Sequence, residues 1–275
     1  MDSIASRRCR RALKTNRALS ALSLRRYKIR EYGALALYQA LKINFGLSTL
    51  GLCNNSIEDS GAQVLSEALK INGTLTTLDL RDNKIGEEGA QALSDALKIN
   101  STLSTLNLWD NSIGDNGAHA LSEALKINSG LITLMLCYSS IGPLGGLALS
   151  EALESNKSLT TLALSFNSIG DTGVLALVET LKTNNTLSTL DLRRYSTGKE
   201  GAQSISETFM VNSTLSTLDM CNNSIGDEGA RAISVALKTN RTLSTLNLWG
   251  NSIEEDGDHA LAETLKTNPA LDILR

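Results

Sequence analysis

The chain has 275 residues, 41% of them hydrophobic, so it is long enough to build a large core. It contains no run of about 18 apolar residues, which predicts that no segment spans a membrane. The formal net charge of −3 is unevenly placed, because residues 1–45 hold 11 Lys/Arg against 2 Asp/Glu, whereas the other 230 hold 15 against 27.

Residues 1–17 align with the helical half of the sequence repeat that fills the rest of the chain. Ala12–Asn16 reads ALKTN, the ending that later repeat helices have, and counting back places Ser3 at an N-cap and Cys9 at a core position. We therefore predict that residues 1–17 form a basic capping helix with its arginines on the solvated face. Two alternatives remain open: a docking site for an acidic partner or nucleic acid, and a targeting segment of the mitochondrial type.

From Ala18 onward the chain matches itself every 28 residues without an insertion or deletion. A unit too short to bury its own apolar face must stack on copies of itself, so the pattern predicts a solenoid. Nine repeats occupy residues 18–269, and residues 270–275 begin a tenth. Because the phase never changes, we expect one continuous domain. The copies begin at Ala18, Gly46, Thr74, Thr102, Gly130, Ser158, Thr186, Thr214 and Thr242.

The copy from Thr102 illustrates the predicted elements. Leu106 and Leu108 alternate with polar residues, which predicts a short strand. Apolar residues at helical spacing over Ala120–Leu125 predict a helix, with Asp115 as its N-cap. Asn128 ends the helix, where Asn tolerates a left-handed turn. The strict register gives all strands one orientation, so the prediction is a parallel sheet covered by helices on one side.

Glycine occurs at the helix start of every copy, from Gly33 to Gly257, and a side chain there is expected to push the helix off its strand. Threonine fills one strand position in eight of nine copies, from Thr49 to Thr245. Stacked β-branched residues suit neighbouring strands, so this threonine column is predicted to be structural.

The string LxxLxLxxNxI at Leu103–Ile113 resembles the leucine-rich-repeat signature. The 28-residue period with a full helix resembles the ribonuclease-inhibitor-like class, and Gly117–Asn128 is most similar to the repeat arrays of NOD-like receptors. The resemblance implies an α/β horseshoe with a parallel concave sheet and convex helices. It also implies a ladder of turn asparagines that pair with backbone groups. The ladder residues are Asn55, Asn83, Asn111, Asn167, Asn223 and Asn251.

Three copies replace the ladder asparagine, by Tyr27, Ser139 and Tyr195. An unpaired buried backbone group is costly, so we expect looser turns at these three positions. The alternative is neutral drift in a redundant array.

Nothing in the chain is arranged for catalysis. The two histidines, His119 and His259, occupy one helix position five repeats apart, and both are expected on the exposed helix face. No phosphate-binding loop occurs, so we predict no enzyme, no cofactor, no metal and no small-molecule substrate. Cys53, Cys137 and Cys221 recur every third copy, about 14 Å apart, which is too far for disulfides and favours a cytoplasmic location.

Residues that flank the strand leucines form the open face of the predicted sheet, and they vary where the rest of the repeat does not. The apolar residues expected side by side are Trp109, Met135, Cys137, Tyr138 and Phe166. The charged residues expected around them are Arg81, Asp82, Asp191, Arg193 and Arg194. An apolar centre with a charged rim is typical of a protein-binding hot spot. The alternative is packing along the sheet; Trp249, with few apolar neighbours, is a weaker second anchor.

The sequence therefore predicts a protein-interaction scaffold that binds a protein or peptide on its concave sheet, in intracellular signalling or innate-immune regulation. One alternative follows from resemblance, a GTPase-activating or cytoskeletal regulator of the Ran-activator or tropomodulin kind. Another is nucleic-acid or acidic-partner binding through the basic N-terminus.

Overall fold

The computed structural model describes residues 16, 18–195 and 197–275, which fall into two compact units, Met1–Ser140 and Ile141–Arg275. Both units repeat one arrangement, a three-residue strand followed by a turn and a helix, at the 28-residue period of the sequence. Most of the predicted capping helix, with Cys9, lies outside the described residues. The predicted boundaries of the nine-repeat domain stay a prediction.

In the described part of the first unit, five strands alternate with four helices. The strands are β1 (Ala21–Ser23), β2 (Thr49–Gly51), β3 (Thr77–Asp79), β4 (Thr105–Asn107) and β5 (Thr133–Met135). The helices are α1 (Arg30–Leu41), α2 (Glu58–Leu69), α3 (Glu87–Leu97) and α4 (Gly114–Leu125). Each strand pairs in parallel with the next, with threonine opposite threonine from β2 to β5.

The second unit, over residues 141–195 and 197–275, has the same plan. Its strands are β6 (Thr161–Ala163), β7 (Thr189–Asp191), β8 (Thr217–Asp219), β9 (Thr245–Asn247) and β10 (Asp272–Leu274). Its helices are α5 (Pro143–Ser155), α6 (Gly170–Thr180), α7 (Lys199–Val211), α8 (Gly226–Leu237) and α9 (Glu255–Thr267). These strands also pair in parallel in chain order.

The core of each unit lies between the sheet and its helices. In β4, Leu106 is completely buried, whereas Thr105 and Asn107 on either side of it are partly exposed. Leu108 after the strand and Leu121 of α4 are also completely buried. One face of the sheet is therefore packed, and the other, which we call the open sheet face, is available to solvent. This confirms the predicted α/β class with a parallel sheet.

The helix-start glycines allow neighbouring helices to approach closely. A Cβ built on Gly117 would lie 2.7 Å from Cγ2 of Ile113 and 2.9 Å from Cβ of Ala90 in α3. Both distances are shorter than van der Waals contact. The predicted conflict is therefore present, but it involves the preceding helix and the residue that leads into α4 rather than the strand.

The ladder of turn asparagines is confirmed. In the first unit, Nδ2 of Asn111 donates to the carbonyls of Leu80, Leu108 and Trp109 at 3.1, 2.9 and 3.3 Å. Its Oδ1 accepts from the amides of Asn83 and Ile85 at 3.2 and 2.9 Å. One buried side chain thus pairs with five backbone groups of two consecutive repeats, which satisfies groups that the turn would otherwise leave unpaired.

Two of the three replacements keep part of this pairing. Oγ of Ser139 donates to the carbonyl of Leu108 at 3.2 Å, 31 residues earlier, where the ladder asparagines also donate. The hydroxyl of Tyr195 donates to the carbonyl of Leu164 at the same spacing. Both side chains are buried and keep this bond to the preceding repeat, whereas the looser turns stay a prediction. The side chain of Tyr27 is instead 53% exposed.

The helix-end asparagines form a second ladder that the sequence interpretation missed. Asn128 donates to the carbonyls of Leu97 and Asn100 at 2.7 and 2.8 Å, and its Oδ1 accepts from the amides of Gly130 and Leu131. It is not among the described residues with positive φ, so the predicted left-handed turn is wrong. The residue type is set by hydrogen bonds between repeats rather than by backbone strain.

The predicted N-cap is also wrong. Helix α4 begins at Gly114 with Ile113 as its N-cap, so Asp115 lies inside the first turn. At the same repeat position in the first unit, Oδ1 of Asp59 accepts from the amides of Gly86 and Gly89 at 2.6 and 2.9 Å. Those amides belong to the start of α3. The aspartate at this position therefore caps the helix of the following repeat instead of its own.

Candidate functional site

The open sheet face ends in a row of turn residues with left-handed backbone, which we call the rim. Their φ values lie between +53° and +72° in all nine copies. In each unit the rim amide donates to a carbonyl of the next repeat, as Asp110 does to Cys137 at 2.9 Å. Asn, Asp or Gly, the residues that tolerate this conformation best, fill five copies. The rim residues are Arg26, Asn54, Asp82, Asp110, Tyr138, Phe166, Arg194, Asn222 and Gly250.

An aromatic pair lies on the open sheet face of the first unit. The rings of Trp109 and Tyr138 are stacked, with centroids 6.2 Å apart and planes within 9° of parallel. Tyr138 is 44% exposed, and Trp109 and Met135 are partly exposed, whereas Cys137 is buried. Aromatic pairs that remain partly exposed present a large rigid surface for a partner at a low cost in conformational entropy.

The predicted charged residues beside this pair already have intramolecular partners. Arg81 donates through Nε and Nη2 to the Asp79 carboxylate at 2.9 and 2.7 Å, and these bonds raise the pKa of the guanidinium. The carboxylate of Asp82 accepts a hydrogen bond from Nδ2 of Asn54. Arg81 and Asp79 thus form a bidentate pair at the surface, with the Arg81 side chain 44% exposed.

The second unit holds Phe166 beneath two arginines. The guanidinium carbon of Arg194 lies 5.0 Å from the ring centroid, and that of Arg193 lies 5.9 Å from it. Arg193 also donates to Asp191 at 2.7 Å and lies 3.6 Å from a carboxylate oxygen of Asp219. The predicted group of Phe166, Asp191, Arg193 and Arg194 is therefore brought together within this unit.

Asp219 was not among the predicted site residues. Burial raises the pKa of its carboxyl above the ordinary value, and the Asp191 charge acts in the same direction. Hydrogen bonds from the Cys221 amide and from Asn247 oppose this rise, as does the charge of Arg193. Burial also raises the pKa of the Cys221 thiol, which makes that thiol a poor nucleophile at neutral pH.

Trp249 lies apart from the other predicted anchors of the second unit. Its side chain is 60% exposed, and it lines an open groove of about 690 Å³. Ile273 and Leu274 of β10 contribute the apolar part of this groove. Asp258 and Arg275, which also line it, form an ion pair with each other.

The structure thus assembles two groups, Trp109 with Tyr138 in the first unit and the Phe166 group in the second. A single patch that contains both groups stays a prediction. The left-handed rim was missed, although the sequence carried its signal: Asn, Asp or Gly fills five of the nine rim positions.

The two histidines lie on helices, one in each unit. His119 and His259 are exposed on α4 and α9, as predicted. Across residues 16, 18–195 and 197–275, no cluster of three or more His, Cys, Asp or Glu side chains could hold a metal ion. Within the same ranges, no helix has the length and apolar character needed to cross a membrane.

Sequence comparison decides the class of the repeat. A family model described as Leucine Rich repeat matches residues 72–94, 100–122, 155–178 and 211–234. The fold is a leucine-rich-repeat solenoid. No curated protein matches this leucine-rich-repeat chain in sequence.

One solved structure resembles this fold, and two others match it more weakly. A chain in the crystal structure of the yeast Rad7–Elc1 complex matches with a TM-score of 0.53 and 16% identity, over 96% of this chain and 71% of that one. Actin-binding site 2 of leiomodin-1 matches with a TM-score of 0.42 and 19% identity, over 66% and 89%. The Caenorhabditis elegans tropomodulin C-terminal domain matches with a TM-score of 0.42 and 15% identity, over 65% and 92%. At these identities the likeness concerns the fold alone.

Proposed function

We propose that this chain is a scaffold that binds a protein or peptide on the open, concave face of its sheet and does not catalyse a reaction. In the first unit the anchors are Trp109, Met135 and Tyr138. In the second unit the anchors are Phe166 and Arg194, with Trp249 as a weaker one. Charged residues that set specificity are Arg81, Asp82, Asp191 and Arg193.

One observation carries the proposal: Tyr138 and Phe166 stand on left-handed backbone, with φ of +53° and +59°. This conformation costs a bulky residue about 1 kcal/mol, and Asn fills the same rim position at Asn54 and Asn222 without that cost. Burial does not repay the cost at Tyr138, whose side chain is 44% exposed. An aromatic residue at a strained, exposed position, as at Tyr138, supports a role in binding rather than in folding.

The wider setting is part of the same proposal. We place the protein in the cytoplasm, in signalling or innate-immune regulation, with repeats of the ribonuclease-inhibitor-like class, similar to those of NOD-like receptors. Burial of Cys53 and Cys137 supports the location, because these thiols serve as small apolar side chains. The chain matched in the Rad7–Elc1 structure belongs to a complex of two proteins, which gives an example of this fold with a protein partner. Binding of an acidic partner by the basic N-terminus stays an alternative.

The test is affinity capture from cell extract with the full chain and the variant Trp109→Ser/Tyr138→Asn. Both new residues occur at the same repeat positions, at Ser165 and Asn222, so we expect the variant to fold. A partner of the wild type should fall at least about tenfold in the variant, since loss of a hot spot costs about 2 kcal/mol or more. Circular dichroism verifies that the variant is folded.

The matched control is Ile127→Thr. Ile127 is a 65% exposed apolar residue just after α4, and Thr occupies its repeat position at Thr183 and Thr239. The control should retain every partner. If the folded Trp109→Ser/Tyr138→Asn variant captures the same proteins in the same amounts as the wild type, the proposed binding surface is wrong.

A further inference from the structure

We propose that Trp109, Tyr138 and Asp110 form a receptor for one basic side chain of the partner, preferably an arginine. The inference rests on the proposed function and names the chemistry that its aromatic pair recognises. A cation placed over the face of a tryptophan or tyrosine is attracted by the ring quadrupole. The nearly parallel rings of Trp109 and Tyr138 offer such faces at the surface of the first unit.

Asp110 supplies the charge that completes the receptor. It follows Trp109 directly, and its amide donates to the carbonyl of Cys137, which places its backbone beside that of Tyr138 in the next repeat. The side chain is exposed, and no described side chain donates a hydrogen bond to its carboxylate. A planar guanidinium can stack on the rings and bond this carboxylate at the same time, which a lysine ammonium does less well.

The charges around the receptor favour the same ligand. On the open sheet face and rim of the repeats from Thr74 and Thr102, the charged residues are Asp79, Asp82 and Asp110 against Arg81, a net charge of −2. The nearby basic group, Arg81, is held by the Asp79 carboxylate at 2.7 Å, so it does not compete for Asp110. An exposed carboxylate beside aromatic rings is complementary to a basic side chain.

The chain contains its own comparison site. The copy from Thr242 repeats the LNLW string of the copy from Thr102, so Trp249 has the same local sequence as Trp109. The residue after Trp249 is Gly250, however, and no described aromatic ring stacks on Trp249. Trp249 therefore lacks the adjacent carboxylate and the second ring, and the Asp258 carboxylate in its groove is already paired with Arg275, so it should not select a basic side chain.

The experiment is selection of a random peptide library on the immobilised full chain, followed by affinity measurement with synthetic copies of the selected peptides. The selected peptides should share one basic position, usually arginine. Replacing this arginine by citrulline, which is neutral and similar in shape, should weaken binding about tenfold. Asp110→Asn should weaken it by a smaller factor, and citrulline should then cost less than in the wild type, because the ion pair is already lost and only the attraction to the rings remains.

The control separates this inference from the proposed function. Glu88→Gln removes an equal charge from the exposed start of α3, outside the proposed binding residues, and should not change the affinity. Selected peptides that depend on Trp109 and Tyr138 but lack a basic anchor would overturn the inference and leave the scaffold role intact. The same holds if Asp110→Asn has no effect, or if Glu88→Gln has an equal one. If no peptide is enriched and no partner is captured, both proposals fail.

Discussion

Thr197 shows how one residue can depart from the repeat at a cost to stability. Isoleucine occupies this position in the other eight copies, from Ile29 to Ile253. The Thr197 side chain is 1% exposed, and its hydroxyl has no hydrogen-bond partner among the described residues. A buried hydroxyl without a partner loses its hydration and gains nothing in return.

We therefore expect Thr197→Ile to stabilise the fold by about 1 kcal/mol, because it removes an unsatisfied polar group and adds apolar contact. The amide at this position donates to Asn223 Oδ1, a bond that isoleucine keeps. Urea unfolding measures the change. Thr183→Ile is the matched control at an exposed site, where the effect should stay within about 0.5 kcal/mol. A lower stability of the Thr197→Ile variant would mean that the site has no room for the larger side chain.

For single residues, the sequence predicts which side chains are buried better than it predicts which side chains pair with one another. Leu106 and Leu108 are buried as their alternation indicates, because burial follows directly from the face of the strand on which a residue lies. The sequence does not reveal that Arg81 is paired with Asp79, or that Asp219 is half-buried beside Arg193. Those pairings depend on side-chain conformations, which repeat periodicity does not specify.

Neighbouring helices pack closely at the helix-start glycines, and we expect these positions to tolerate substitution least. The Cβ that alanine would add at Gly117 lies within 3 Å of side-chain atoms of Ile113 and Ala90. Neither contact can be relieved by rotating a flexible side chain away. The local preference of a helix for alanine over glycine is therefore outweighed by packing.

Gly117→Ala is expected to destabilise the protein by about 1–3 kcal/mol, since helices α3 and α4 must move apart to accept the methyl group. Thermal unfolding followed by circular dichroism measures this. Gly73→Ala is the control, because a Cβ at Gly73 meets no atom within 4 Å and its effect should be small. Equal stability of the two variants would show that the helix interface yields at little cost.

The capping aspartates show where a helix-by-helix interpretation of the sequence fails. Asp59 and Asp227 lie at the start of one helix but accept hydrogen bonds from the start of the next one. A capping residue normally lies just before its own helix, so the sequence assigned the equivalent Asp115 to the wrong role. Stacking brings the next helix start within reach, and a single repeat taken alone does not contain that information.

Within each unit, the asparagine ladders join successive repeats. Asn111 connects backbone groups of two repeats, and the helix-end residue Asn128 does the same at the other end of the helix. Stability in such an array is shared mainly between neighbours, so the effect of a local defect should fade with distance along the stack.

Asn111→Ala should cost about 3 kcal/mol or more, because five backbone groups lose their partner at a buried site. Hydrogen exchange should rise most at the amides of Asn83 and Ile85 and change little in β1. Asn116→Ala, which removes an exposed side chain bonded only to Glu87, should leave exchange unaltered. A uniform rise from β1 to β5 would show instead that the first unit opens as a whole.

The spacing of these ladder bonds limits which mutations the protein can accept during evolution. Bonds to and from Asn111 span 26, 28 and 31 residues, so one added residue between Leu80 and Asn111 would alter the spans of several bonds at once. A substitution on the open sheet face alters none of them. New specificities should therefore arise by exchange of side chains at constant repeat length, which makes transplanting a face residue from one copy to another a practical route to engineered binders.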